Sequence, residues 1–455
     1  MAVMKTFSFL ACSVLVAMFS GIAAIQAENQ PAEWVEQAVS ADAGVAQKAQ
    51  NHLRQAGPHG LELLEQRFAT EIAAHRGGAP SDASWKRIAA ALDRVGGQYD
   101  NYASGLYWYT DLEEAKRAAR TSGRPILSLR LLGRLDEDLS CANSRFFRTT
   151  LYPSAEVNQL LKSGFILHWE SVRPAPRVTI DFGDGRKLER TITGNSIHYI
   201  LDADGRIVDA LPGLYSAKVF AAELSRAADA EKEARSTGAP NYKAYQKATE
   251  ARLLKAWTGD LASLHAAPAS YTALSESDLE RATSDSRWQQ IAQLHWNDVS
   301  FDSSVSEVIE RKFPDARVAA PVAVTKMAAE KPLLQALEST PQTYAVEVYP
   351  SAPVAAQITA SKAMVETPMM RAFRNLSGTA VMDTVQNNYM RRTKILAFLA
   401  ESYGSWSLAQ INDWVYARIF LTPRQDPWLG LAPADVFAAI DGNGESDSKM
   451  LSASR

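Results

Sequence analysis

The sequence predicts an α+β protein of several domains, with an α/β/α segment in the middle and mainly helical N- and C-terminal regions. Three observations carry this expectation. A chain of 455 residues is longer than one hydrophobic core accommodates. Apolar residues recur at three- and four-residue steps through residues 31–104 and again beyond 231, which is the helical period. Between 105 and 230, short apolar runs alternate with such helical stretches across Gly- and Asp-rich turns. A hydrophobic fraction of 46% gives each domain material for a core, and a net charge of −3 gives no basic surface for nucleic acid.

The first residues, "MAVMKTFSFLACSVLVAMFSGIAAIQAENQ", place Lys5 before an apolar run from Phe7 to Ile25 and a small-residue exit at Ala27. This is the layout of a secretory signal peptide over 1–27, cleaved after Ala27; an uncleaved anchor is the alternative, because the run is long. The expected location is extracytoplasmic, periplasmic or secreted, with no membrane span after signal removal. Disulfides are allowed there, yet only Cys12 and Cys141 exist, and Cys12 lies in the signal. The mature chain therefore has a single thiol and no internal disulfide.

Residues 31–104 read as helices: "AEWVEQAVS", "GVAQKAQNHLRQAG", "GLELLEQRFATEIAAH" and "SWKRIAAALDRVGG", separated by Gly- and Pro-rich breaks. The 105–230 segment opens with Trp108 and "TDLEEAKRAART", where Thr110 and Glu113 form a capping box. "RPILSLRLL" follows as a strand, then the Cys141 segment "LSCANSRFFR". "SAEVNQLLKSG" is a helix that Ser154 caps and Gly164 ends, with Val157, Leu160 and Leu161 on one face. "FILHWESV" is a strand apolar enough to be buried. "VTIDFGDGRKLERTI" is a hairpin around Gly183-Asp184-Gly185, and "IHYILDADGRIVDAL" is a second, turning at Asp202–Gly205. Ser216 opens a closing helix, "AKVFAAELSRA".

Residues 231–440 read as a helical C-terminal domain, and 441–455 as a polar, frayed tail. "AAPVAVTKMAAEKPLLQAL" from Ala319 and "AAQITASKAMVETPMMRAF" from Ala355 match at a fixed offset of 36 residues, with Lys326/Lys362, Glu330/Glu366 and Pro332/Pro368 coinciding. A duplicated packing unit whose helices start near each Pro explains the match; paired ligand sites are the other reading.

The order helix, strand, Cys segment, helix, strand, hairpin, helix across residues 107–227 resembles the thioredoxin fold of bacterial exported proteins. Trp108 before "DLEEAKRAARTSGRPILSL", Cys141 before "SRFFRTTLYPSAEVNQLLKSGFILHW", and "TGNSIHYILDADGRIVDALPGLY" carry the resemblance. It implies a thioredoxin-like α/β/α domain with Cys141 at the nucleophile position and Ser144 where the family has its second cysteine. Asn195 and Ser196 then stand on the facing loop, and they join Trp108 as expected substrate-binding residues. The sequence departs from the family in three ways. The dithiol is replaced by Cys141-Ala142-Asn143-Ser144, the cis-proline by Ser196, and the usual Trp before the thiol by the charged "GRLDEDL". A cis bond before Ser196 is costly, so that bond is expected to be trans.

A first cysteine attacks a disulfide and a second resolves the mixed disulfide; Ser144 cannot attack. Cys141 at a helix N-terminus would gain thiolate character, with Arg145 and Arg148 adding to it and Asp136, Glu137 and Asp138 opposing it. The first functional expectation is a monothiol handling thiols or disulfides, with exported proteins or low-molecular-weight thiols as partners. The second is a non-catalytic platform for protein–protein interaction, with Cys141 a small buried apolar residue. A thiol titrating well below ~8.5 supports the first, and a buried, unreactive one the second. His168 and His198, on neighbouring strands, raise a Cys/His/His metal site as a further possibility, weighed against two core or edge histidines. His52, His59 and His75 lack the i, i+4 spacing of a helical metal pair, and "DADG" reads as a hairpin turn rather than a calcium loop. No phosphate loop, dinucleotide fingerprint, haem motif or nucleophile elbow occurs, so no cofactor is expected.

Overall fold

The computed structural model describes residues 31–191, 195–238, 241–263, 384, 386–420 and 422–424. The signal segment 1–27, both copies of the 36-residue repeat, the helix expected at "SRWQQIAQLHW" and the tail 441–455 lie outside the described residues. The chain divides into two compact units, Met1–Trp108 and Tyr109–Arg455.

The first unit is helical in its described residues. After a helix over 31–37, Asp42 caps α1 (Ala43–Gln55) by accepting from the Gly44 and Val45 N–H groups. α2 (Pro58–Arg67) starts on a proline, whose missing N–H is harmless in a first turn. The single helix expected over "GLELLEQRFATEIAAH" breaks at Phe68, which leaves the helical region while its ring is buried, and α3 (Ala69–Arg76) starts anew. Burial of an aromatic ring outweighs helical continuity there. Asp82 caps α4 (Ala83–Gly96), and left-handed Gly97 ends it. Leu53, Leu64, Leu92 and Val95 form a fully buried centre. After the short α5 (Asn101–Ser104), Arg54 ties the unit's end by donating to the Val95 and Trp108 carbonyls.

The second unit is built on a mixed five-stranded sheet, in the order β1-β3-β2-β6-β7. Its strands are β1 (Trp108–Tyr109), β2 (Ile126–Leu132), β3 (Ile166–Arg173), β6 (Ser196–Leu201) and β7 (Ile207–Pro212). The hairpin of β4 (Arg177–Asp181) and β5 (Lys187–Thr191) forms a separate two-stranded sheet. β2 runs parallel to β3 and antiparallel to β6, which pairs antiparallel with β7. Every residue of β2 and β6 is buried, as a sheet covered on both faces requires. Both hairpins turn where the sequence places them: Gly205 donates to the Asp202 carbonyl, and Gly183 is left-handed.

Two helix starts differ from expectation. α6 (Leu112–Ser122) is capped by Asp111, which accepts from the Glu114 N–H, rather than by Thr110. A carboxylate at that position serves the exposed amides and the helix dipole better than a hydroxyl one residue earlier. Ser154 does stand before α8 (Ala155–Gly164), but its hydroxyl turns back to donate to the Leu151 carbonyl. A π-helical turn over Phe147–Leu151, which follows α7 (Ala142–Phe146), brings that carbonyl within reach. Ser216 caps α9 (Ala217–Ser236) as expected, accepting from the Val219 N–H.

α10 (Lys243–Ser263), a π-helical turn over Gln386–Arg391 and α11 (Arg392–Glu401) belong to the same unit as the sheet. α12 (Leu408–Trp414) carries a full Ser407/Gln410 capping box and runs into a π-helical turn over Val415–Ile419. A buried ionic cluster fixes α11. Arg392 donates to both Asp209 carboxylate oxygens, at 2.6 and 3.1 Å, and pairs with Glu223 at 2.8 Å. Burial opposes the charge on Arg392, but Asp209 and Glu223 outweigh it and hold the guanidinium charged. Gly213, just past β7, is left-handed, and a Cβ there would meet the Asn387 amide at 2.4 Å. That close approach lets Asn387 donate to the Leu214 carbonyl.

Candidate functional site

Cys141 follows β2 through a loop and stands at the N-cap position of α7. Its N–H donates to the Leu132 carbonyl at 3.3 Å, holding the turn against the end of β2. Ser144 comes three residues later, at the position of a third helical residue, and its hydroxyl donates to the Cys141 carbonyl at 2.8 Å. Cys141 and Ser144 are both 0% exposed. Burial pushes the Cys141 thiol up; hydrogen bonding from Ser144 and the charge of Arg145 oppose this without reversing it. A helix of five residues adds little dipole, so desolvation wins.

The charged groups expected to compete over the thiol all have other partners. Arg148, 1% exposed, donates to the Glu137 and Asp138 carbonyls and to the Ser140 hydroxyl, and pairs with the Asp138 carboxylate. Arg145 donates to the Thr191 carbonyl at 3.4 Å. Asp136 and Glu137 pair with Arg134. The "GRLDEDL" segment is thus a folded ion-pair loop, which the sequence read only as a run of charge.

Ser196 opens β6, its peptide bond is trans, and its hydroxyl accepts from the Asn143 amide at 2.9 Å. Asn195 precedes it, and the Asn195 side chain donates to Thr422 Oγ1 at 3.2 Å. Cys141, Ser144, Asn143, Ser196 and Asn195 therefore meet at one end of the sheet. Trp108, the last residue of the first unit and the first of β1, is fully buried, with its indole N–H donating to Gln98 Oε1 at 2.9 Å. The chain matches no protein-family model, no curated protein and no solved structure.

His168 and His198 pair with consecutive residues of β2, Ser128 and Leu129, so their side chains leave opposite faces of the sheet. His168 shares a 2.9 Å hydrogen bond with Ser128, and His198 a 2.7 Å one with Tyr152 between the rings of Phe147 and Phe220. Burial pushes both imidazoles down to about 3, with the Arg130 charge adding to this at His168. Among the described residues no group of three His, Cys, Asp or Glu side chains could hold a metal ion. No helix of the described residues is long and apolar enough to cross a membrane.

Sequence reasoning missed the residues that surround the Cys141 end of the sheet: Arg173, Tyr416 and Thr422. Tyr416 donates to the Asn195 carbonyl at 3.1 Å, and Arg173 to the Thr422 carbonyl at 3.0 Å. These contacts span more than two hundred residues of sequence, and no local motif announces them. The only signal was composition: the apolar face of "SLAQINDWVYARIF" had to pack somewhere.

Proposed function

We propose that this chain is an exported thioredoxin-fold protein whose single-thiol site is closed in its ground state, and that the fold serves as a platform for protein–protein interaction. The complete burial of Cys141 carries this reading. A thiolate nucleophile needs access and a lowered pKa, and here the thiol is inaccessible and pushed up. Support for the thioredoxin-like part is the strand order β1-β3-β2-β6-β7 with β2 and β3 parallel and β6 and β7 antiparallel. The Cys-bearing helix start after β2 and the closing helix α9 stand in the order the resemblance implies.

A second reading, monothiol chemistry on exported proteins or small thiols outside the cytoplasm, rests on one observation. Cys141 caps a helix, and the Asn143–Ser196 hydrogen bond holds it beside the loop expected to face a substrate. The test is alkylation of Cys141 by iodoacetamide across pH 6–10, with and without denaturant. The platform reading expects modification only on opening or unfolding; a thiol that titrates below ~8.5 in the native protein and reacts at once establishes the monothiol reading instead.

A further inference from the structure

The residues that flank Cys141 bond to a distant part of the chain. Residues 415–420 and 422–424 lie at the end of the sheet where β2 delivers the Cys141 turn, and side chains on both flanks of that turn bond to them. On the β3 side, Arg173 donates to the Thr422 carbonyl at 3.0 Å and to the Pro423 carbonyl at 3.4 Å. Arg173 is the register partner of Leu132, whose carbonyl holds the Cys141 N–H, so this grip adjoins the thiol turn. On the β6 side, Tyr416 donates to the Asn195 carbonyl at 3.1 Å, and the Asn195 amide donates to Thr422 Oγ1 at 3.2 Å.

The segment also holds its own shape. The Thr422 N–H donates to the Tyr416 carbonyl at 2.9 Å, and the Phe420 N–H to the Val415 carbonyl at 3.0 Å. Tyr416 is 3% exposed and Thr422 7%. Burial raises the Tyr416 phenol, so its hydroxyl stays protonated and donates to Asn195.

We infer that residues 415–420 and 422–424 form an intramolecular strap that must lift before a partner reaches Asn195, Ser196 or the Cys141 thiol. This rests on the closed-site reading above and names the element that closes it. The grips from Arg173, Asn195 and Tyr416 are hydrogen bonds to single residues rather than a continuous sheet or a salt bridge. Val415, Ile419 and Phe420 are also buried, at 0%, 1% and 4% exposure, so lifting the segment exposes part of the core and is a sub-global opening, short of complete unfolding. The strap bonds to Asn195, one of the residues expected to contact a substrate, so access at that residue depends on this segment.

The experiment measures the iodoacetamide labelling rate of Cys141 in the full chain at fixed pH as a function of urea. It compares the unmodified protein, the near-isosteric Tyr416→Phe/Thr422→Val variant, and Tyr245→Phe as a control. Tyr245 donates to Asp209 at 2.6 Å, so its loss weakens the fold without touching the strap. At low urea the labelling rate should be slow and rise with a urea slope well below that of global unfolding, the signature of sub-global opening. The strap variant should raise it about tenfold, as the loss of both hydrogen bonds to Asn195 implies, and Tyr245→Phe should leave it unchanged. A labelling rate that carries the full urea slope of global unfolding throughout, or one that both variants raise equally, overturns the strap. Immediate labelling of the unmodified protein overturns the closed site itself, and so fails in a distinguishable way.

Discussion

The Asn143 amide donates to the Ser196 hydroxyl over 2.9 Å, joining the turn that carries Cys141 to the first residue of β6. Ser196 is fully buried and Asn143 9% exposed, so neither group finds water when the other is removed. Ser196→Ala should cost about 1–3 kcal/mol in urea unfolding, the cost of a buried donor left unpaired. The double variant with Asn143→Ala should cost less than the sum of the two single changes. Strict additivity would show that the two residues do not act together.

The ionic cluster at β7 should be the most sensitive polar contact of the second unit. Arg392 and Asp209 are both 0% exposed, and Glu223 is 4% exposed. Arg392→Leu strips Asp209 of its cation, while Glu223 keeps Arg226 and Arg252, and should cost about 3–5 kcal/mol. Adding Asp209→Leu should return part of the loss, since a pair is removed instead of a charge stranded. A loss no larger than ~0.5 kcal/mol, typical of surface changes, would mean that α11 is not held by this cluster.

Stability should decline on the acid side through the histidines. His198 and His168 are both pushed down to about 3 in the folded chain, and unfolded imidazoles titrate near ~6.5. Between those values the unfolded state takes up protons that the folded state refuses. Stability is therefore full above ~6.5 and is lost as pH falls toward 3, by roughly 2–3 kcal/mol per imidazole at pH ~4.5. Urea midpoints at pH 7, 5.5 and 4.5 measure this. His198→Gln should flatten the slope by about one proton, and an unchanged slope would show that His198 is protonated within the fold.

The unmodified protein should not catalyse multiple-turnover reduction of an insulin-type disulfide. A lone thiolate has no neighbour to resolve the mixed disulfide, and here the thiol is buried as well. Ser144→Cys supplies a second thiol three residues on, but at a position that is itself 0% exposed, so it alone should not restore turnover. Combined with Tyr416→Phe/Thr422→Val, it should attack oxidised glutathione, releasing one glutathione thiol and leaving a mixed disulfide read by mass spectrometry, or show slow turnover. Robust turnover by the unmodified chain would remove both the closed site and the monothiol limit.

Several local features were legible in the sequence because local rules set them. Asp202–Gly205 and Gly183 mark turns through residues that tolerate the required backbone. Ser216 marks a helix start through a side chain that reaches its own helix amides. The exchange of Thr110 for Asp111 as the cap of α6, and the turning of Ser154 toward Leu151, depended on which partner lay nearer in space. The same holds at Phe68, where core burial broke a helix that periodicity alone would have continued.

The placement of Cys141 at a helix start after a buried strand was readable, because the apolar run of β2 and the turn after it are contiguous in sequence. Its exposure was not. Whether a thiol is open to solvent depends on what crosses it from elsewhere, and here Tyr416 and Thr422 arrive from far along the chain to bind Asn195 and Arg173. The sequence by itself determined an α+β chain with a helical N-terminal region, its turns and most of its helix starts, through propensities that act over a few residues. Only the tertiary structure decided that the two histidines point to opposite faces, that Arg392 is buried against Asp209, and that the thiol is covered. Strand register and long-range packing fix those outcomes, and no spacing within a local window encodes either.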